Sequence, residues 1–382
     1  MNLGYSASFQ TYSASFIYNM MQNMATQGIK MREFNYKHLP DSLATSETIN
    51  LISKIHEYRG RGISYAASSP VILEALRDVA IVQSAEASNS IEGIRTSDKR
   101  LGEIMDKGTE LKTRDEEQIA GYRDVLALIH DNHEHMDVTS GVILQMHKML
   151  YRYTPSSMGG HYKVGDNEIR GVRADGTTYT RFKTTPAVAT PHAMEALCDA
   201  YHEGIADGDI DPLLLSLMFV FDFTCIHPFN DGNGRMSRLL TLLLMYKAGY
   251  DVGRYVSVER EIERSRGSYY DALAASSEGW DENRNDYAPF VRYMLGIINA
   301  AYGVLDERVH DVLERKLTKA QRVEKAVSES PGSISKSQIM AMLPDVSMVT
   351  IERALASLLE EGKVEKVGGG RSTAYVWRGP QR

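Results

Sequence analysis

The chain has 382 residues, enough for two or three domains with cores of their own. It is 43% hydrophobic and 24% charged with a net charge of −7, which excludes a mostly disordered chain and argues against coating nucleic acid by bulk positive charge. Cys198 and Cys225 are the only cysteines, too few for a disulfide framework or a cysteine zinc site, and a reducing cytoplasm is the expected location.

Residues 1–29 hold no Lys or Arg, so a secretory n-region is not expected. They are rich in Ser, Tyr, Met and Asn and read as an arm or a first helix. No apolar run is expected to reach the ~18 residues of a membrane span. Ile49, Leu51, Ile52 and Ile55 suit a helix over 46–58. Ser69 as N-cap and Pro70 at the first position open another, with Ile72, Leu73, Leu76, Val79 and Val82 on one face. It runs toward Ser88-Asn89-Ser90-Ile91-Glu92-Gly93. More helices are expected over 97–107, 114–133, 138–151 and 190–204. Two short extended segments then flank Asp175-Gly176, a strong hairpin signal. On residues alone this hairpin reads as a surface ornament.

The most informative stretch is His227-Pro228-Phe229-Asn230-Asp231-Gly232-Asn233-Gly234-Arg235-Met236-Ser237-Arg238. Asp211 and Pro212 cap and open a very apolar helix, and Pro228 cannot continue it. A second helix is expected from about Arg235, with Met236, Leu239, Leu240, Leu243 and Leu244 as one buried stripe and Gly249 as its stop. The loop between them suits a phosphate. Main-chain N–H groups of Gly232, Asn233 and Gly234 would point out at a helix start. Arg235 and Arg238, three apart, would reach one polyphosphate. Asp231 would hold a magnesium ion shared with phosphate oxygens. His227 at the rim could take a proton from a hydroxyl. Each residue alone has a bland reading as a core, turn or surface residue; their joint spacing does not.

These twelve residues resemble in full the Fic family signature, His-Pro-Phe-x-Asp/Glu-Gly-Asn-Gly-Arg-x-x-Arg. The likeness covers about residues 50–310 and implies a mainly α fold, a Fic-type helical bundle with a β-hairpin flap. It implies a protein adenylyltransferase using ATP and Mg2+, with AMP moved to Ser, Thr or Tyr hydroxyls. His227 would be the base, Asp231 the metal ligand, Asn233 the holder of the α-phosphate, Arg235 of the phosphate chain and Arg238 of the γ-phosphate. The hairpin becomes the flap on which a target protein docks by strand addition, with Ile169, Val172, Thr180 and Phe182 as docking residues. Ser268-Tyr269-Tyr270 resembles a family segment bordering adenine; Tyr270 is the choice for the base pocket and Tyr269 for the core. Some relatives carry Asn where this chain has Ser277, so base selectivity is open. Ser88-x-x-x-Glu92-Gly93 resembles the family's inhibitory motif, and Glu92 is expected to pair with Arg238. Ser88 and Glu92, i and i+4 on a helix, would let the hydroxyl steady the carboxylate.

Three alternatives stand beside that reading. The same pocket could remove AMP, with Glu92 positioning water. A kinase-like relative uses Ala-Asn-Lys-Arg in the loop, which Gly232-Asn233-Gly234-Arg235 argues against. A regulator would use the Fic part as a sensor.

Beyond about 319 three short helices and two strands over 363–367 and 373–377 have the order of a winged helix. From Lys319 onward there are ten Lys/Arg against seven Asp/Glu, a balance of +3, which leaves −10 for the rest. The third helix carries Glu352, Glu360 and Glu361 against Arg353, a poor match for phosphates, so protein interaction or a homodimer is preferred to nucleic acid. The expected domains are 1–95, carrying the inhibitory helix, 96–312, catalytic, and 319–382, winged helix.

Overall fold

The structure, a computed structural model, describes residues 32–379 apart from 69, 155–158, 173–176, 317, 329, 331 and 371–372. Residues 1–29, the cap at Ser69 and the turn at Asp175-Gly176 therefore lie outside the described residues. The chain is mainly helical and divides into two compact units, Met1–Leu305 and Asp306–Arg382.

In the first unit the helices are α1 (Ser46–Ser68), α2 (Pro70–Ile91), α3 (Asp98–Met105), α4 (Arg114–Asn132), α5 (Ser140–Leu150), α6 (Thr190–Asp207), α7 (Pro212–Ile226), α8 (Asn233–Lys247), α9 (Val258–Arg264), α10 (Arg266–Ser277) and α11 (Ala288–Lys316), which continues past Leu305. The hairpin is β1 (Glu168–Val172) and β2 (Thr178–Lys183). Side-chain caps from Ser97, Thr113, Thr139 and Asp211 start α3, α4, α5 and α7. α1 runs ten residues beyond the expected end, through Gly60 and Gly62. The space where a side chain at either glycine would stand is open, so neither marks a tight turn.

The centre of the unit is α7, buried on every side from Leu213 to Phe223. It packs on α6 and α8, and α4 packs on α2, α5 and α8. One charged side chain lies inside α7. Asp222 accepts hydrogen bonds from Tyr36 Oη (2.6 Å), Trp280 Nε1 (2.6 Å) and Tyr287 Oη (2.7 Å) and pairs with Arg32 at 3.3 Å. Four partners make the buried charge tolerable and pin residues 32–36 to the core helix.

Two sequence expectations change here. No division of compact units falls near residue 95, because α2 packs on α4, α8 and α9 inside the same unit. Ala288–His310 within α11 has the length and apolarity of a membrane span, with mean hydropathy 1.2, although no such run was expected. Its interior burial, 56%, is that of a core helix and accounts for the composition.

The second unit contains α12 (Lys319–Ser328), β3 (Ser333–Ser335), α13 (Lys336–Met342), α14 (Met348–Glu360), β4 (Val364–Val367) and β5 (Ala374–Trp377). Its antiparallel sheet has the order β3-β5-β4. β3 has only three residues and gave no strand signal in the sequence. Val323, Val327, Ile339, Ile351, Leu355 and Tyr375 form its core.

Candidate active site

The twelve-residue motif forms the junction of α7 and α8. α7 ends at Ile226, and His227 turns the chain with φ 53° and ψ 60°, a left-handed conformation uncommon for a residue with a side chain. α8 begins at Asn233, two residues earlier than expected, with Gly232 as its left-handed N-cap. A side chain at Gly232 would crowd the Tyr151 hydroxyl, 2.9 Å away. The Asn233 side chain braces the loop: Oδ1 accepts from Phe229 N at 2.9 Å and Nδ2 donates to Phe229 O at 2.8 Å. Gly232 N–H is also engaged, donating to Asp231 Oδ1 at 2.8 Å. The helix start therefore offers the main-chain N–H groups of Asn233 and Gly234 to an anion.

From below, His147 on α5 and Tyr151 just past its end grip the loop, one turn apart. The His147 ring stacks on Phe229 with centroids 3.7 Å apart. Its Nδ1 accepts from Gly160 N–H (3.1 Å), so Nε2 carries the proton and donates to Asp231 O at 3.1 Å. Burial lowers His147 to about 4, so it acts as a neutral brace.

His227 is itself partly buried. Burial, and then the charge of Lys163, lower it to about 4, against the opposing pull of the Thr224 main chain, Glu92 and Asp231. The imidazole is thus neutral at physiological pH and able to accept a proton.

Arg238, 2% exposed, pairs with Glu92. Its Nη2 donates to Glu92 Oε1 and to Ser88 O, and its Nε to Ser88 Oγ, each at 2.8 Å. Ser88 does not steady Glu92 directly, as the helical spacing suggested. α2 ends at Ile91, Gly93 turns left-handed at φ 81°, and Ser88 and Glu92 meet on the guanidinium. The Glu92 carboxylate also lies against the Gly234 backbone, where any side chain at residue 234 would collide with Oε1. Behind α2, the buried Glu259 accepts from Ser84 Oγ (2.8 Å) and Tyr122 Oη (2.9 Å).

His227, Gly234, Ser237, Arg238 and Glu92 line one cavity of about 130 Å³, with Tyr269, Tyr270, Leu273 and Ser277 on its far wall. Tyr270, expected for the base pocket, lines this cavity. Tyr269 is core, 4% exposed, yet it also reaches this wall. The hairpin closes the remaining side. Ile169 and Phe182 pair across β1 and β2 and both line the cavity. Thr180 faces away from it, donating to Glu168 Oε2 at 2.6 Å, and Val172 pairs with Thr178 toward the turn. The register shifts between Ile169 and Arg170, leaving Arg181 unmatched as a bulge, and Arg181 joins the cavity wall. No residue spacing announced that contact.

Arg235 does not share the cavity with Arg238. It is buried at 1% exposure and donates through Nη2 to Tyr151 Oη at 2.8 Å, with Asp231 Oδ2 3.7 Å away. The expectation that both arginines reach one polyphosphate is therefore corrected: α8 sends them to different partners. The Tyr151 hydroxyl hydrogen-bonds to Asp231 in turn. Burial would raise Asp231, but Tyr151 and Arg235 outweigh it and hold the carboxyl below its ordinary value. Asp231 is thus an ionised carboxylate with about half its side chain in solvent. Among the described residues it is not part of any cluster of three metal-ligand side chains.

The junction of α7 and α8 thus carries a histidine at its rim and a carboxylate laid across it. Residues 137–245 match the Fic/DOC family. The protein adenylyltransferase fic-1 of Caenorhabditis briggsae is 29% identical over 164 residues, 42% of this chain and 27% of that protein. The protein adenylyltransferase Fic of Aedes aegypti is 39% identical over 83 residues, 22% of this chain and 14% of that protein. The chain thus spans less than a third of the length of these curated relatives. Among solved structures, a Fic family protein from Desulfovibrio desulfuricans G20 superposes with TM-score 0.58 at 23% identity, covering 88% of this chain and 98% of its own. Fic-1 from C. elegans superposes with TM-score 0.53 at 17% identity, covering 78% of each chain. These two share the fold.

Proposed function

We propose that the chain is a protein adenylyltransferase that moves AMP from ATP to a Ser, Thr or Tyr hydroxyl of a target protein, restrained by Glu92. One observation carries the reading: neutral His227, the start of α8 and Arg238 surround one cavity, and Glu92 sits on Arg238. The adenylyltransferase names of the curated relatives support it.

Triphosphate would lie on the Asn233 and Gly234 N–H groups with its γ-phosphate on Arg238. The target hydroxyl gives its proton to the His227 imidazole as its oxygen attacks the α-phosphorus. The bond to the β-phosphate oxygen breaks, AMP stays on the target and pyrophosphate leaves. Asp231 would hold magnesium, which when bound supplies charge neutralisation to phosphate oxygens. The two-stranded hairpin has open edges, and a target segment pairing with one of them is the docking mode that suits it. Glu92 occupies the arginine that the γ-phosphate needs and places a negative charge beside it.

For the second unit we favour a winged-helix role in protein contact, including a homodimer, over DNA binding. Arg322 pairs with Asp345, Lys336 with Glu352, Lys363 with Glu324 and Arg378 with Glu365, so cations that would meet phosphates already face carboxylates. Cytoplasmic ATP is the expected nucleotide source.

The test is the full chain incubated with α-labelled or γ-labelled ATP. Retained α-label that disappears in His227→Ala is the expected result. Retained γ-label would make it a kinase. AMP released from a pre-modified protein, without incorporation, would make it the reverse enzyme. No transfer by wild type or Glu92→Gly would sink the reading.

A further inference from the structure

Three of the four carbonyls from Ile226 to Phe229 are held by one short segment between α5 and β1. Lys163 Nζ donates to Ile226 O at 3.1 Å, and Lys163 N–H donates to Pro228 O at 2.9 Å. Asn167 Nδ2 donates to Phe229 O at 3.0 Å. The same ammonium donates to Asn167 Oδ1 and to Thr184 Oγ1, each at 2.8 Å. Thr184 Oγ1 lies 2.8 Å from Asn167 O. Lys163 is 3% exposed, and its three ammonium protons match these three acceptors.

The one carbonyl left out belongs to His227, the residue in the left-handed conformation. Such a conformation persists where its surroundings over-determine it. Here the clamps stand on both sides of the strained residue. Asn167 immediately precedes β1 and Thr184 immediately follows β2, so the clamp is also the base of the hairpin. A target segment aligned on the hairpin is thereby registered against the His227 imidazole through Lys163 and not through a flexible linker.

We infer that Lys163 is a positioning residue for His227: its ammonium and main-chain N–H, with Asn167, fix the turn that aims the imidazole and tie it to the foot of the hairpin. The inference rests on the reading of His227 as the base. A second consequence is electrostatic. Among the charged groups around His227, Lys163 lowers it while Glu92 and Asp231 raise it, and Arg238 and Arg181 line the same cavity. Losing Lys163 shifts the balance toward the imidazolium, so the acid limb of activity moves to higher pH. A purely structural residue would lower the rate without moving that limb.

The experiment uses full-length protein in the Glu92→Gly background, which removes the competing carboxylate. His227→Ala, Lys163→Met, Lys163→Arg and Asn167→Ala are compared for α-label incorporation against pH, for ATP affinity and for the NMR titration of His227. Lys163→Met should lose on the order of 10- to 100-fold in rate, the cost of a misaimed catalytic group, with ATP affinity kept. Its His227 midpoint should rise above that of the Glu92→Gly parent, while Lys163→Arg keeps it low. An active His227→Ala would overturn the base assignment itself. An inactive His227→Ala beside a Lys163→Met with unchanged rate and midpoint would overturn only the role of Lys163. If Lys163→Met does not fold, Asn167→Ala decides: a lost rate with ATP affinity kept supports the clamp, and an unchanged rate removes it.

Discussion

The Glu92 carboxylate holds Arg238 at 2.8 Å and at the same time lies against the α-carbon of Gly234. One side chain thus occupies both the cation that the terminal phosphate would use and the bare backbone over which the phosphate chain would pass.

Removing that carboxylate should release the enzyme. A charged hydrogen bond of this kind is worth roughly 1.5–3 kcal/mol, and about 1.4 kcal/mol corresponds to a factor of ten. Glu92→Gly should therefore raise auto-modification on the order of 10- to 100-fold. Glu92→Gly combined with Arg238→Ala should lose the gain, because the freed partner is gone. A time course of α-label incorporation for the three proteins reads this directly. Equal or lower incorporation in Glu92→Gly would point to a catalytic role for Glu92 in AMP removal.

The two motif arginines should fail differently. Arg238→Ala should make ATP and ADP bind equally, since the residue that distinguishes a γ-phosphate is missing. Tyr151→Phe should leave that preference intact. It takes away the acceptor of the buried Arg235 Nη2 and the donor to Asp231, and should cost about 1–3 kcal/mol of stability. It should also raise the magnesium concentration at half-maximal rate. Calorimetric titration with both nucleotides and denaturant unfolding separate the cases. A Tyr151→Phe protein with unchanged stability and metal requirement would contradict the relay from Arg235 to Asp231.

Much of this site was legible before any coordinates. The loop, the Asp211 cap, the left-handed Gly249 and the pairing of Glu92 with Arg238 follow from local spacing or from motif resemblance. What escaped depends on distant partners. Arg235 faces inward because Tyr151 and Asp231 meet it there, and no helical period could say so. The motif resemblance alone assigns Asn233 the α-phosphate and does not show that its amide also bonds two main-chain groups of Phe229. Arg181 enters the cavity through a bulge, which shifts register by one residue and leaves no mark in alternation. Lys163 and Asp222 are single charges in unremarkable surroundings; burial made them informative.

Acid should loosen the fold in a defined window. His130 is 2% exposed, and burial lowers it to about 3; His147 is lowered to about 4. Both lie below the unfolded value of ~6.5, so on acidification the unfolded chain takes up protons first. Their contribution is complete above pH ~6.5 and falls, on the order of 1.4 kcal/mol per pH unit per histidine, until the folded values are reached. His130→Phe should flatten the fall of Tm with acid. An unchanged slope would remove His130 from the account.

Deleting residues 319–382 should leave auto-modification chemistry intact, because every residue around the cavity lies in the first compact unit. The measurement is incorporation by the truncated chain beside its oligomeric state. Salt-sensitive, sequence-selective binding of a duplex by the full chain, lost on truncation, would reverse the preference for protein contact.

The place of Glu92 over Gly234 has a consequence for how the restraint can be lifted. Two bodies cannot share one volume, so part of the inhibition is steric exclusion that ions do not screen. Raising ionic strength should weaken the grip on Arg238 yet leave the cradle filled, and salt alone should release little activity. Release is expected when the Glu92 side chain swings off Arg238 and away from Gly234.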